Sequence, residues 1–134
     1  MRQKGSVHDY ITPEGWKTGI EEVAPKVYAY IQAYGELGVS NAGLLLDREG
    51  VVVIDALMVP SMTKRFLESI KKVTRRPVSR LVNTHHHVDH SGGNFLFRDA
   101  QIISHTFCRE EQLRTGIPIK QLQQHIPRFA KEFA

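Results

Sequence analysis

The sequence predicts a single α/β domain. Three observations carry this: a run of short apolar strands comes first, an amphipathic helix then separates two further strands, and later strands alternate with helices. A meander of strands followed by strand–helix–strand–helix–strand is the element order of an α/β fold. A length of 134 residues allows one domain with a sizeable core, and 41% apolar and 24% charged residues are ordinary for a globular chain.

Residues 1–22 are polar and punctuated by Pro13, Gly15 and Gly19, and read as an N-terminal arm on which only Trp16 is positioned to pack. Residues 23–134 form the domain. Pro25 to Gln32 alternates as a strand, with Val27, Ala29 and Ile31 on one face and Tyr28 and Tyr30 on the other. Gly35-Glu36-Leu37-Gly38 suits a hairpin connection to a second strand, Ala42 to Asp47. Asp47 to Gly50 is a polar turn before Val51-Val52-Val53-Ile54, whose unbroken β-branched run predicts burial on both faces. Pro60-Ser61 opens a helix with Ser61 at the N-cap, and Met62, Phe66, Leu67, Ile70 and Val73 form its buried stripe. Pro77 stops it. Val78 to Asn83 is the next strand, and Gly92 to Phe97 starts a short helix. Gln101 to Ser104 is another strand. Residues 106–134 are a helical segment. It contains the end of a helix over His105 to Arg114 and a last helix opened by Pro118. The apolar face of that helix, Ile119, Leu122, Ile126, Phe129 and Phe133, suits either core or a partner.

The net charge of +4 identifies no partner. Lys71, Lys72, Arg75, Arg76 and Arg80 bunch together, but no aromatic side chains interleave with them, so they read as a solvated helix end and no nucleic acid is expected. The lone Cys108 excludes an internal disulfide and fits a reducing compartment as an inert thiol. No apolar stretch near the N-terminus resembles a signal peptide, and none is long enough to span a membrane. The expected location is cytoplasmic.

The chemistry concentrates in Thr84-His85-His86-His87-Val88-Asp89-His90-Ser91-Gly92-Gly93-Asn94, where four of the seven histidines fall within six residues. Neutral imidazole and carboxylate are ligands for zinc and related ions. Alternate side chains of an extended segment share a face, so His85 and His87 can meet one ion while His86 points away. Asp89 and His90 follow where the chain bends and can hold a second ion. The bland alternatives are a polyhistidine tag or a solvated His-rich loop, but a tag sits at a terminus and this run is internal, after a strand.

The ordered spacing His85-x-His87-x-Asp89-His90, between Asn83-Thr84 and Gly92-Gly93-Asn94, resembles the signature of the metallo-β-lactamase-fold hydrolases. The resemblance runs from about Val23 to His105. It implies the N-terminal half of an αββα sandwich, a mixed sheet with helices on one face. It also implies a two-metal site, with His85 and His87 on the first ion and Asp89 and His90 on the second. Zinc is the expected ion, with iron or manganese as alternatives. The implied reaction is hydrolysis of an ester, thioester, lactam, lactone or phosphoester of a small-molecule substrate. Asp89 would be the catalytic residue that orients the attacking water, whose pKa a divalent ion lowers from about 15.7 to about 7. Asp55 is either a helix-flanking turn residue or, by the resemblance, a hydrogen-bond partner of the metal loop. Asn83 and Thr84 stand behind the ligands by position, and Gly92 and Gly93 allow close backbone approach and helix-start amides. His8, His105 and His125 are expected to be non-ligands.

The resemblance also implies what this chain lacks. Members of the family run to about twice this length, and their other half supplies a third His to the first metal, an Asp that bridges both and a last His to the second. No counterpart follows His105. Each ion would keep two protein ligands, whereas catalytic zinc has three plus water. Weak or absent metal occupancy and poor catalysis are therefore expected of the isolated chain. Glyoxalase-II-like thioesterases share the motif, and so do iron-dependent persulfide dioxygenases, which makes an oxidoreductase an alternative. A further alternative is an inactive half-domain that serves as an assembly module. A sheet face stripped of its partner would be covered by a homodimer mate or by the missing C-terminal half.

Overall fold

A computed structural model describes residues 17–33 and 40–133. One six-stranded sheet runs β1 (Gly19–Ala24), β2 (Val27–Ile31), β3 (Ala42–Leu46), β4 (Val51–Ile54), β5 (Val78–Val82) and β6 (Gln101–Ile103), in that spatial order. β1 to β4 form an antiparallel meander, while β4–β5 and β5–β6 are parallel. Parallel neighbours need crossovers. Helix α1 (Pro60–Val73) makes the first. The second passes through the short helix α2 (Val88–Ser91) and a 3-10 turn at Asn94–Leu96. After β6 come α3 (Thr106–Thr115), α4 (Ile119–His125), α5 (Pro127–Ala130) and a last 3-10 turn, Lys131–Phe133. The α/β class and the mixed sheet are those expected from the sequence. Among the described residues no helix is long and apolar enough to cross a membrane.

The core lies on one side of the sheet. Register places Tyr30 opposite Ala42, Leu44 opposite Val53, and Val53 opposite Leu81, so these residues share a face. Met62, Phe66 and Ile70 of α1 are buried in the same cluster, and the Tyr30 and Phe66 rings lie 4.7 Å apart. Burying one side chain such as Phe66 contributes about 1.5–3 kcal/mol. Leu67 and Val73, expected on the same stripe, are half-buried at its edge.

Four expectations change. The arm expected over 1–22 is strand from Gly19 onward. β1 is the edge strand, and its Gly-Ile-Glu-Glu start is too polar to signal one. β4 is not buried on both faces: Val51 and Val53 are, while Val52 and Ile54 stay half-open because the helices gather on one side. Ser61 is not the N-cap, a position taken by Val59 with Pro60 behind it. Instead the Ser61 N–H and Oγ both donate to the Glu132 carboxylate, at 2.7 and 2.9 Å, so an acid from the far end of the chain satisfies the helix start. The last helix is two helices. Ile126 precedes Pro127, and a residue before proline avoids the α region, so Ile126 takes φ −146° and ψ 70°. Leu122 and Phe129 are buried in the core while Ile126 and Phe133 pack against it. These four cover the chain's own core, while Ile119, expected on the same face, is exposed. His8, Trp16 and the Gly35–Gly38 connection lie outside the described residues.

The Gly92-Gly93 pair allows the two crossovers to touch. A Cβ on Gly92 would lie 1.9 Å from the Met58 carbonyl oxygen, and one on Gly93 would lie 2.1 Å from Thr63 Oγ1. The amides of both glycines are used inside the fold, on Val88 and Leu57 carbonyls, and are not presented to a ligand.

Gly92→Ala should therefore destabilise the chain by about 1–3 kcal/mol or more, since backbone oxygen cannot be displaced cheaply. Urea denaturation checks this, and a midpoint equal to wild type would refute the contact. Glu132→Ala should cost about 0.5–2 kcal/mol by uncapping α1. In the same assay, an unchanged midpoint would mean that the cap contributes nothing.

Candidate metal centre

Parallel pairing of β4 with β5 sets their carboxyl ends side by side, the place where open α/β sheets bind ligands. Ile54 sits opposite Val82, and the Asp55 N–H donates to the Val82 carbonyl at 2.9 Å. Asp55 therefore comes to rest beside Asn83 and Thr84. Its backbone is left-handed, with φ 62°, a region Asp tolerates better than most residues. Leu57 follows at φ 63°. The Ala56 N–H donates to the His90 carbonyl at 2.7 Å, which ties this bend to the histidine segment.

The Asp55 carboxylate is buried and accepts from both directions. Oδ1 accepts from the Thr84 N–H at 2.8 Å and Oδ2 accepts from the Thr84 hydroxyl at 2.7 Å. Oδ2 also lies 2.7 Å from His90 Nδ1. An ionised carboxylate only accepts, so His90 Nδ1 donates to Asp55 and Nε2 is the nitrogen turned toward Asp89 and available to a metal. The Thr84 hydroxyl has given its proton to Asp55. At 3.0 Å from His85 Nδ1 it must accept from that nitrogen, which leaves His85 Nε2 with its lone pair too. One carboxylate thus fixes the tautomers of two imidazoles, directly and through Thr84. Of the two roles open to Asp55 from the sequence, the structure supports the partner of the metal loop.

The expected ligands converge. One ligand atom each from His85, His87 and Asp89 lie within 4.8 Å of one another. His90 stands beside this group, with Nε2 3.2 Å from Asp89 Oδ2. Its ring lies 4.1 Å from that of His85, centroid to centroid. Two ligands on one tetrahedral zinc sit roughly 3.3 Å apart at bond lengths near 2.0–2.1 Å. The Asp89–His90 spacing already meets that, and the His85 and His87 atoms, within 4.8 Å of Asp89, need only a modest inward closure. The donor set, imidazole and carboxylate without sulfur, fits zinc or a similar divalent ion. Asp89 faces both the His85–His87 pair and His90, whereas the sequence pairs it with His90 alone. His86 is outside the group. Burial, followed by the neighbouring His90 and His87, holds the His85 pKa below its ordinary value, which favours the neutral form that binds metal.

Supporting contacts lie far apart in sequence. Ser40 Oγ donates to the Asp89 carbonyl at 2.5 Å. Ser91 Oγ bonds the His86 and His87 carbonyls. Asn83 and Asn94 exchange side-chain amide bonds of 3.1 and 2.7 Å, and Gln112 Nε2 of α3 donates to Asn83 Oδ1 at 3.1 Å. The sequence signals Asn83 by position but not Ser40 or Gln112, whose partners lie 49 and 29 residues away. His105 is the N-cap of α3, accepting from the Phe107 N–H, and His125 is exposed at the end of α4. Cys108 is buried on α3 beside Gln112, apart from the metal group.

Comparisons with known proteins bear on the family and the fold. Residues 35–118 match the family model described as the Metallo-beta-lactamase superfamily. A Metallo-beta-lactamase type 2 from Bacillus cereus is 26% identical over 109 residues, 79% of this chain and 43% of that protein. Among solved structures, a metallo-beta-lactamase from Pontibacter korlensis superposes with a TM-score of 0.64 at 21% identity, covering 73% of this chain and 48% of that one. One from Cronobacter sakazakii gives 0.61 at 21%, covering 75% and 39%. The chain thus spans under half the length of these relatives. With more than half of its residues inside the family match, the chain belongs to the metallo-beta-lactamase superfamily.

Proposed function

We propose that the chain carries the first part of a zinc hydrolase centre acting on an ester, thioester or lactam-type bond of a small-molecule substrate. The observation that supports this most strongly is the convergence of His85, His87 and Asp89 within 4.8 Å, with His90 against Asp89. A divalent ion held there supplies Lewis acidity for the scissile carbonyl and makes water nucleophilic near neutral pH. The chain's own groups do the rest. Asp89 accepts a hydrogen bond from the attacking water, takes its proton as the new C–O bond forms, and returns that proton to the leaving group. His85 and His87 present nitrogen lone pairs, and Asp55 keeps His85 and His90 from turning away.

Zinc titration followed by calorimetry tests this reading. Saturable binding is expected in the wild type, weaker than at a complete catalytic site because few protein ligands are present. His87→Ala should abolish it. Asp55→Asn should weaken it about 10–100-fold, the usual effect of losing a group that orients a ligand. Zinc binding unaffected by His87→Ala would sink the proposal, and so would binding that survives loss of Asp55 at full strength.

One observation favours a second reading, an assembly module. Val27, Ala29, Ile31, Leu45, Val52, Ile54 and Val82 share the sheet face away from α1, and all remain half-exposed. Arg80, opposite Val52, and Glu21, opposite Ala29, are the charged residues on this otherwise apolar face, and a face of that composition suits an interface. We propose that a second copy of the chain covers it, with a total interface of about 1,600 Å². Light scattering should give twice 15.3 kDa. Val52→Glu, placed mid-face, should return the chain to monomer, whereas a monomeric wild type at high concentration would contradict the proposal.

A further inference from the structure

Next to the metal group, on the side of His86 and His87, the surface opens into a groove of about 550 Å³ that reaches the junction of α3 and α4. Its walls include His86, His87 and Asp89 on one side and Arg114, Gly116 and Gln121 on the other. Arg114 is the only Lys or Arg that lines it among the described residues. Its guanidinium pairs with Glu111 on the same helix. Nε and Nη2 donate to the two Glu111 oxygens at 3.1 and 2.5 Å. A guanidinium has five N–H donors in a fixed plane, so this pairing leaves Nη1 and one Nη2 hydrogen unused by Glu111. Glu111 itself is not among the residues that form the groove.

The pair is a poor candidate for a stabilising contact. The Arg114 side chain is 69% exposed, and an exposed ion pair one helical turn apart contributes little. Its location relative to the metal group is nevertheless fixed. Gln112, two residues before Arg114, donates to Asn83, and Asn83 is doubly bonded to Asn94 on the far side of the histidine segment. α3 ends immediately beyond Arg114, at Gly116 with φ 58°. The fold therefore places the Arg114 guanidinium, paired with Glu111, on the wall of an open groove whose other wall carries His87 and Asp89.

We infer that Arg114 is a specificity residue. It receives a carboxylate on the substrate while the bond to be cleaved lies at the His85–His87–Asp89 group. The inference rests on the hydrolase reading and adds the substrate class: acyl compounds that carry a carboxylate some bonds away from the scissile carbonyl. Two parallel N–H groups of a guanidinium edge match a carboxylate in geometry as well as charge, which a lysine does not.

The test has one arm that needs no metal. Glutarate is titrated into the metal-free chain while the Arg114 Nε–H and the His86, His87 and Gly116 amides are followed by NMR. Saturable shifts at these positions are expected with glutarate and none with glutaramide. Arg114→Gln should remove them, and Arg114→Lys should weaken them about tenfold. No saturable shift, an equal response to glutaramide, or an unchanged response in Arg114→Gln would overturn the inference. In the second arm the zinc-loaded chain is given paired thioesters with and without a terminal carboxylate. Arg114→Gln should raise KM about tenfold for the acid alone and leave kcat unchanged. Equal effects on both thioesters would also overturn the inference. If neither thioester is hydrolysed, the NMR arm alone decides the role of Arg114, while the hydrolase reading stands or falls with the zinc titration.

Discussion

The buried Asp55 carboxylate holds the candidate site together. Its two oxygens take a backbone amide, a hydroxyl and an imidazole, each at 2.7–2.8 Å. Through them one side chain reaches Thr84, His90 and, by way of the Thr84 hydroxyl, His85. A carboxylate buried in this way is tolerable only because every bond is charge-assisted and met by a donor. Its placement follows from the sheet. β4 and β5 run parallel and in register at Ile54 and Val82, so the residues that leave both strands emerge together. An antiparallel pair would have sent them to opposite ends.

The backbone around Asp55 shows how tightly the arrangement is determined. Two non-glycine residues, Asp55 and Leu57, hold positive φ within three positions. Such conformations cost of order 1 kcal/mol or more and persist where surroundings over-determine them. Here the surroundings are the Gly92-Gly93 turn against Met58 and Ala56, and Thr63, whose hydroxyl donates to the Ala56 carbonyl at 2.6 Å. Rigidity in this loop serves the site directly, because a ligand geometry loosened by an ångström loses affinity.

The sequence discloses most where chemistry is local. The spacing of His85, His87, Asp89 and His90 announced a metal group because ligands on one short segment must obey strand and turn geometry. The stripe of Met62, Phe66 and Ile70 announced α1 because its period is helical. What stayed hidden depends on distant partners. Glu132 caps α1 across 71 residues, and no local pattern near Ser61 records it. Gln112 and Ser40 hold the metal segment from elements far along the chain. β1 escaped notice because an edge strand with one wet face carries polar residues. The division of the last helix is written locally, in Ile126-Pro127, but the apolar stripe runs across it with unbroken helical spacing.

Zinc K-edge X-ray absorption on the zinc-loaded chain tests most directly whether these residues form a metal centre. The account predicts a first shell of nitrogen and oxygen alone, with the multiple-scattering pattern of at least two imidazoles, and loss of one imidazole in His85→Ala. A sulfur neighbour from Cys108, or a shell that lacks imidazole and is indifferent to His85→Ala, would contradict it.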